Sequence, residues 1–312
     1  MEAAPFYAEA ARGPDGGQAV WWTAPDGAKL RLGHWPAAGR ARGTVLLFPG
    51  RSEYLEKYGP TAAVICAAGW HIVTVDWRGQ GLSGRGLPDR MLGHIEDFAD
   101  YQHDVAALLA FVAALGLPEP LNLISHSMGG CIALRSLLAG LDIQSAVFSA
   151  PMWGIRLFPT VTPMAVNLAA VMHRSGQGHR LTPTTTRASY VLHAGFRGNM
   201  LTRDHEMWGW MRQHLIRHPD LALGGPSLTW LHAAFTEMRA LDGLASPACP
   251  VLTVVGSAER IICTRAIRRR MARWPGARQE IYANAEHEVM MEVPRHRDRF
   301  YQSCLAMFDR AP

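Results

Sequence analysis

The sequence predicts an α/β protein: a mostly parallel, doubly wound sheet with a helical cap inserted into it. Three observations carry this reading. Short apolar runs alternate with helix-length amphipathic segments as far as residue 150, and the alternation resumes at Pro250. One apolar run, Leu121 to Ile124, breaks abruptly into Ser125-His126-Ser127-Met128-Gly129-Gly130, and a helical pattern follows at once. From about Met152 to Ala245 no buried strand is legible, while helical stretches, Gly and Pro breaks and many Met and Trp residues are. Residues 1–150 and 246–312 are therefore assigned to the core and residues 151–245 to the cap.

In order along the chain, Ala19 to Thr23 and Lys29 to Trp35 read as a hairpin around the turn signal Pro25-Asp26-Gly27. Thr44 to Phe48 is continuously apolar, as a strand covered on both faces must be. A helix follows from Pro60 to Ala68, with proline at its start and Gly69 at its end. His71 to Val75 is the next strand, and it runs into Asp76-Trp77-Arg78-Gly79-Gln80-Gly81-Leu82-Ser83-Gly84. That turn lacks the Gly-Lys-Ser/Thr ending of a phosphate loop and opens no helix directly, so it reads as a structural loop near the site mouth. From Glu96 to Leu115 the apolar positions Phe98, Tyr101, Val105, Leu108, Val112 and Leu115 step by three and four, an amphipathic helix closed by Gly116. Strand Leu121–Ile124, a helix to about Ala139 and strand Ile143–Phe148 complete the first half. After the insertion come strand Val251–Val255, a helix near Arg265–Arg273, strand Gln279–Tyr282 and a last helix opened by Pro294. Parallel crossovers of this kind place helices on both faces of the sheet.

Composition narrows the function. With 312 residues, 48% of them hydrophobic, the chain can bury one large core. No apolar run reaches the length of a membrane span, and the first residues lack the basic and apolar regions of a signal peptide, so a soluble, cytoplasmic protein is expected. The 5 cysteines are scattered singly with no CxxC spacing, which gives no reason to expect a metal, a redox pair or any cofactor. The net charge of +5 is carried almost wholly by arginine, since lysine occurs only at Lys29 and Lys57. The densest cluster, Arg265, Arg268, Arg269, Arg270 and Arg273, reads as a solvated helix face ahead of a lipid-binding patch. No aromatic residues interleave with it, so nucleic acid is not an expected partner. Peripheral contact with lipid at the inner membrane face stays open, as does the oligomeric state.

The strand, sharp turn and helix around Ser127 have the form of a nucleophile elbow, which lifts a serine hydroxyl clear of both flanking elements and needs small residues two positions either side. Gly129 meets that need and Ser125 nearly does, where the commoner pattern has glycine at the first position too. A bare tight turn would use similar residues, so the reading depends on the base, acid and oxyanion donors that an attacking serine requires. Glu259 stands just past the strand Val251–Val255, and His287 stands in the loop after the last strand. The order Ser127, Glu259, His287 is the one the α/β-hydrolase topology demands. Of the 14 histidines only His287 has this placement. His126 reads as a packing or site-lining residue, and Glu286 and Glu288 as exposed loop charges.

Asp76-Trp77-Arg78-Gly79-Gln80-Gly81, Ser125 to Gly130, Gly256 to Ile262 and Glu286 to Met290 carry a resemblance. The chain, over roughly residues 18 to 310, resembles the lysophospholipase and monoacylglycerol-lipase branch of the α/β hydrolases. The family usually has aspartate where Glu259 stands and His-Gly where this chain has Pro49-Gly50. The resemblance implies a serine hydrolase that cleaves acyl esters, with lysophospholipid or monoacylglycerol as substrate and no cofactor. It implies His287 as base, Glu259 as orienting acid, and the backbone amides of Arg51 and Met128 as oxyanion donors. Met152, Trp153, Trp208 and Met211 are candidate contacts to an acyl chain: taken singly each reads first as core of the cap, and together a few of them are expected to line the pocket. An aminopeptidase on the same framework would need cap carboxylates such as Asp204, Glu206 or Glu237 turned inward to hold a free amine. A protein that keeps the fold only to bind a ligand is the remaining alternative.

Overall fold

Side chains alternate across a strand, so a sheet covered on both faces needs two apolar sets. The computed structural model, which describes residues 1–158 and 160–309, shows both. Pro159, within the inserted segment, and Arg310, Ala311 and Pro312, at the end of the chain, lie outside the described residues.

In chain order the elements are β1 (Glu2–Ala3), α1 (Ala8–Ala11), β2 (Gln18–Thr23), β3 (Lys29–Trp35), β4 (Gly43–Phe48), α2 (Gly59–Ala67) and β5 (Trp70–Asp76). Then follow α3 (Tyr101–Ala114), β6 (Leu121–His126), α4 (Met128–Leu138) and β7 (Ser145–Ser149). Helices α5 (Thr162–Arg174), α6 (Tyr190–His193), α7 (His205–Arg217) and α8 (Leu228–Gly243) come next, before β8 (Val251–Gly256), α9 (Thr264–Met271), β9 (Arg278–Tyr282) and α10 (Pro294–Phe308). The strands form one sheet in the order β1-β2-β3-β5-β4-β6-β7-β8-β9. β1, β2 and β3 are antiparallel, β3 meets β5 antiparallel, and every pairing from β5 to β9 is parallel. This is the α/β-hydrolase fold.

On β4, Val45 and Leu47 belong to the layer formed with Ala62 and Ile65 of α2 and with Phe300 and Cys304 of α10. Their neighbours Leu46 and Phe48 point the other way, into the layer with Leu108 of α3, Leu134 of α4 and Ile267 of α9. The start of α3 differs from the sequence reading. Asp97 accepts from the Ala99 amide and caps a short 3-10 turn over Phe98–Asp100, so the α-helix proper begins at Tyr101, not Glu96. β1 and α1 are too short to show a periodicity and were not foreseen. Of the five clustered arginines, four on α9 and Arg273 just past its end, all are exposed except Arg270, which is buried and donates to the carbonyls of Leu241 and Leu244.

Register places the site. Phe48 is level with Ser125, and His126 is level with Ser149, so the loops leaving β4, β6 and β7 emerge side by side at the carboxyl ends of the strands. Gly256, the last residue of β8, is level with Tyr282, which brings the loops after β8 and β9 to the same edge.

Candidate active site

Ser127 links β6 to α4 with φ 48° and ψ −114°, a conformation that side chains rarely adopt. Its own amide donates to the Ser149 carbonyl at 3.0 Å, and its carbonyl accepts from Gly130 at 2.9 Å and Met152 at 2.8 Å. The requirement for a small residue after the serine is visible directly: a Cβ on Gly129 would lie 2.2 Å from the Phe48 carbonyl oxygen.

His287 Nε2 is 2.9 Å from Ser127 Oγ, and His287 Nδ1 is 2.7 Å from Glu259 Oε2. The other Glu259 oxygen accepts from the amides of Ile261 at 2.6 Å and Ile262 at 3.1 Å. The longer glutamate is thus accommodated by a turn that folds back on its own carboxylate. The loops bearing acid and base are laced together by Ser257 N to Tyr282 O and Ala258 N to Ala285 O, at 2.9 and 3.0 Å. Gly256 permits that approach, since a Cβ there would lie 2.1 Å from the Ala285 carbonyl oxygen. The inserted segment holds the His287 loop from the other side: His287 and Glu288 donate their amides to the carbonyls of Met200 and Leu201.

The electrostatics favour a charged imidazole. Burial opposes the imidazolium, but Glu259, aided by Glu288 and Glu53, outweighs it and raises the His287 pKa above its ordinary value. Burial likewise pushes the Glu259 carboxyl up, and His287 with the two amides pulls it below its usual range. His126 packs its ring 4.8 Å from that of His287, and its Nδ1 meets the Ser149 carbonyl. Burial drives its pKa down to about 3, so it stays neutral.

The Arg51 amide has no acceptor among the described residues, and Met128, first residue of α4, has none within its helix. The loop that carries Arg51 is fixed at two points. Trp77 donates its indole N-H to the Pro49 carbonyl at 2.9 Å, and the Gly50 amide donates to Glu53 Oε2, which also takes the Tyr58 hydroxyl. The other Glu53 oxygen lies 2.7 Å from Lys57 Nζ, and that ammonium lies 2.8 Å from Glu288. Glu53, His126 and Glu288 are the one set of three metal-ligand types brought together among the described residues, and the lysine already sits between its two carboxylates.

This network corrects the reading of Glu286 and Glu288 as exposed loop charges, since both are buried. Glu288 meets Lys57, while Glu286 meets Arg203 and Arg260. The partners come from distant parts of the chain, so local sequence gives no warning. The i,i+4 spacing of Glu53 and Lys57, in a chain with two lysines, was the signal available.

Of the carboxylates that an aminopeptidase would need, Glu206 is exposed and pairs with Arg12. Asp204 caps α7 and meets Arg297, and Glu237 is buried against Arg135 in a bidentate pair. Met152 and Trp153 lie in one apolar cluster, where Trp153 donates to the Gly130 carbonyl and packs on Phe148 and Trp274. Trp208 and Met211 lie in the other, with Trp208 edge-on to Tyr190. None of the four lines the open cleft of about 690 Å³ beside Glu259, whose walls include Arg156, Phe196, Arg197, Arg203 and Arg260.

The family model for Hydrolase_4, described as serine aminopeptidase, S33, matches residues 39–294. The chain belongs to the Hydrolase_4 family. This Hydrolase_4 member is 31% identical over 255 residues to the probable lysophospholipase L2 of Haemophilus influenzae, covering 80% of this chain and 79% of that one. It is 28% identical over 277 residues to lysophospholipase L2 of Escherichia coli K12, covering 85% and 80%. In structure it resembles a soluble variant of monoglyceride lipase from Saccharomyces cerevisiae solved with a substrate analogue. That match has a TM-score of 0.72 and 21% identity over 93% of this chain and 94% of the other. A monoacylglycerol lipase from Paleococcus ferrophilus gives 0.69 at 20% identity over 90% and 99%. At these identities the two solved structures support the fold alone.

Proposed function

We propose that Ser127, His287 and Glu259 act as the catalytic triad of a hydrolase that cleaves the acyl ester of a lysophospholipid. The chain is a carboxylic ester hydrolase, in keeping with its lysophospholipase relatives. The observation that carries the triad is the unbroken line from Ser127 Oγ to His287 to Glu259, at 2.9 and 2.7 Å, on a strained elbow. His287 Nε2 takes the hydroxyl proton as Ser127 Oγ attacks the ester carbonyl, and the oxyanion faces the amides of Arg51 and Met128. Glu259 holds the Nδ1-H tautomer and stabilises the imidazolium. The tetrahedral intermediate collapses, His287 returns the proton to the leaving alcohol, and water repeats the cycle on the acyl-enzyme.

The aminopeptidase alternative needs a lid carboxylate free to meet an amine. Asp204, Glu206 and Glu237 are each already paired with an arginine, which favours the ester. We assign lid and pocket roles to the inserted residues 151–245. A lipid substrate also fits their surface. Phe158, Val161, Met164, Leu168 and Val171 are 78, 41, 69, 39 and 52% exposed and recur every three or four residues along α5 and its approach. Such a stripe suits the interface of a bilayer. None of the helices among the described residues is long and apolar enough to cross a membrane.

The test is hydrolysis of p-nitrophenyl esters of increasing acyl length, beside aminoacyl p-nitroanilides, by wild type and Ser127→Ala. Ester turnover that prefers longer chains and vanishes in the variant supports the proposal. Anilide turnover without ester turnover would reverse it in favour of the peptidase reading.

A further inference from the structure

Arg51 is unusual among the inward-facing arginines. Arg31 and Arg78 are each held by two carboxylates. Arg85 has none but spends all three nitrogens on backbone carbonyls. Among the described residues Arg51 has no carboxylate partner, and its Nε is the only arginine nitrogen there that is buried without an acceptor. Its Nη1 reaches Ser52 Oγ at 3.1 Å, and its Nη2 donates to the carbonyl of Gly224. The indole of Trp230 stacks near the guanidinium at 5.4 Å. Burial lowers its pKa to about 10, as expected of a cation lacking a counter-ion.

Nε and Nη2 share one edge of a guanidinium, the edge that takes a phosphate through two parallel hydrogen bonds. On Arg51 that edge holds nothing but a lid carbonyl. Arg51 lines a closed cleft with Gly79, Gln80, Gly93, Tyr101, Leu223 and Trp230, and Gly93 packs beside that edge, since a Cβ there would lie 2.6 Å from Nη2 and 3.3 Å from Nε. The backbone of the same residue is the proposed oxyanion donor, so the guanidinium stands at most one extended arginine side chain from the amide that faces the ester oxygen. The phosphorus of a glycerophospholipid stands about that far from its sn-1 carbonyl.

We infer that Arg51 selects a phosphate-bearing substrate: its amide faces the ester oxyanion while its guanidinium receives the headgroup phosphodiester, which displaces the Gly224 carbonyl. The inference rests on the triad reading above and adds a headgroup selector to it. A neutral monoacylglycerol offers only an uncharged hydroxyl in exchange for that carbonyl, so it leaves the Leu223–Trp230 side of the cleft shut. A lysophospholipid exchanges a neutral acceptor for a charged one as that segment lifts.

The experiment compares kcat/KM on lysophosphatidylethanolamine and on the monoacylglycerol of the same acyl chain, for wild type, Arg51→Gln and Arg51→Lys. The ratio of the two values falls roughly tenfold or more in Arg51→Gln, the scale of one lost charge-assisted contact, and falls less in Arg51→Lys. Fluorophosphonate labelling of each variant verifies that the site has folded. A ratio within twofold of wild type in both variants overturns the headgroup inference and leaves the triad standing, as does a wild type that hydrolyses only the monoacylglycerol. Direct binding of lysophosphatidylethanolamine to Ser127→Ala, with and without Arg51→Gln, decides the matter without turnover. Roughly tenfold weaker binding in the double variant upholds the inference even if the triad reading fails, and equal affinity overturns it.

Discussion

Ser127 holds a backbone conformation of a kind that costs about 1–3 kcal/mol, and three hydrogen bonds to its amide and carbonyl keep it there. What the strain gains is a hydroxyl presented to His287 Nε2. That base must be neutral to accept a proton, and Glu259 holds its pKa above 6.5. Activity therefore rises with pH through a midpoint above 6.5 in the kcat/KM profile. In Glu259→Gln the loss of the charge moves that limb to lower pH, and the misplaced tautomer lowers the rate by roughly 10³–10⁴-fold. A wild-type limb at or below 6.5 would contradict this electrostatic account. The sign for stability is opposite: the raised His287 pKa contributes fully below its unfolded value, and that contribution is lost as pH rises through the folded one. Lys57 gives a second prediction. Burial opposes its charge, Glu288 and Glu53 more than compensate, and its pKa is raised. Lys57→Met leaves two buried carboxylates facing each other, at a cost of about 3–5 kcal/mol. Urea denaturation should show a correspondingly lower midpoint, and an unchanged midpoint would mean that the carboxylates are not ionised.

At the scale of elements, two glycines decide whether the strand ends can converge. Gly256→Ala would drive a Cβ to 2.1 Å from the Ala285 carbonyl, and Gly129→Ala would drive one to 2.2 Å from that of Phe48. Each should cost about 1–3 kcal/mol of stability. Gly256→Ala should in addition cut turnover, because relief of the clash moves the loop that carries His287. Melting curves and kcat measured together test this, and a variant with a wild-type rate would show that the loop tolerates displacement. The strands were legible because burial on both faces makes them apolar throughout, as in Val45-Leu46-Leu47-Phe48. Helix ends were less so: Phe98 continues the apolar stripe of α3, yet Asp97 caps a 3-10 turn there. Ser127, Glu259 and His287 could be picked out by their places at strand ends. The burial of Glu286 and Glu288 could not, because each depends on partners that only folding supplies.

For the whole molecule, the arginines bear on the question of lipid contact less than their number suggests. Arg270 is buried, and the exposed Arg269 and Arg273 pair with Asp242, which leaves Arg265 and Arg268 as the exposed arginines of the cluster with no acidic partner among the described residues. The apolar stripe on α5 is the stronger candidate for a bilayer contact. Vesicle sedimentation should show binding that changes little between low and high salt. It should weaken by tenfold or more in Met164→Ser with Leu168→Ser, since burial of each such side chain is worth about 1.5–3 kcal/mol. Binding abolished by salt and untouched by those substitutions would return the role to the arginines. The expectations for turnover depend on the serine. Intact-protein and peptide mass spectrometry after treatment with a fluorophosphonate tests it most directly. The account predicts one adduct, on the peptide containing Ser127, abolished in Ser127→Ala and strongly slowed in His287→Ala. An unlabelled wild type, or an adduct on another residue, would contradict it.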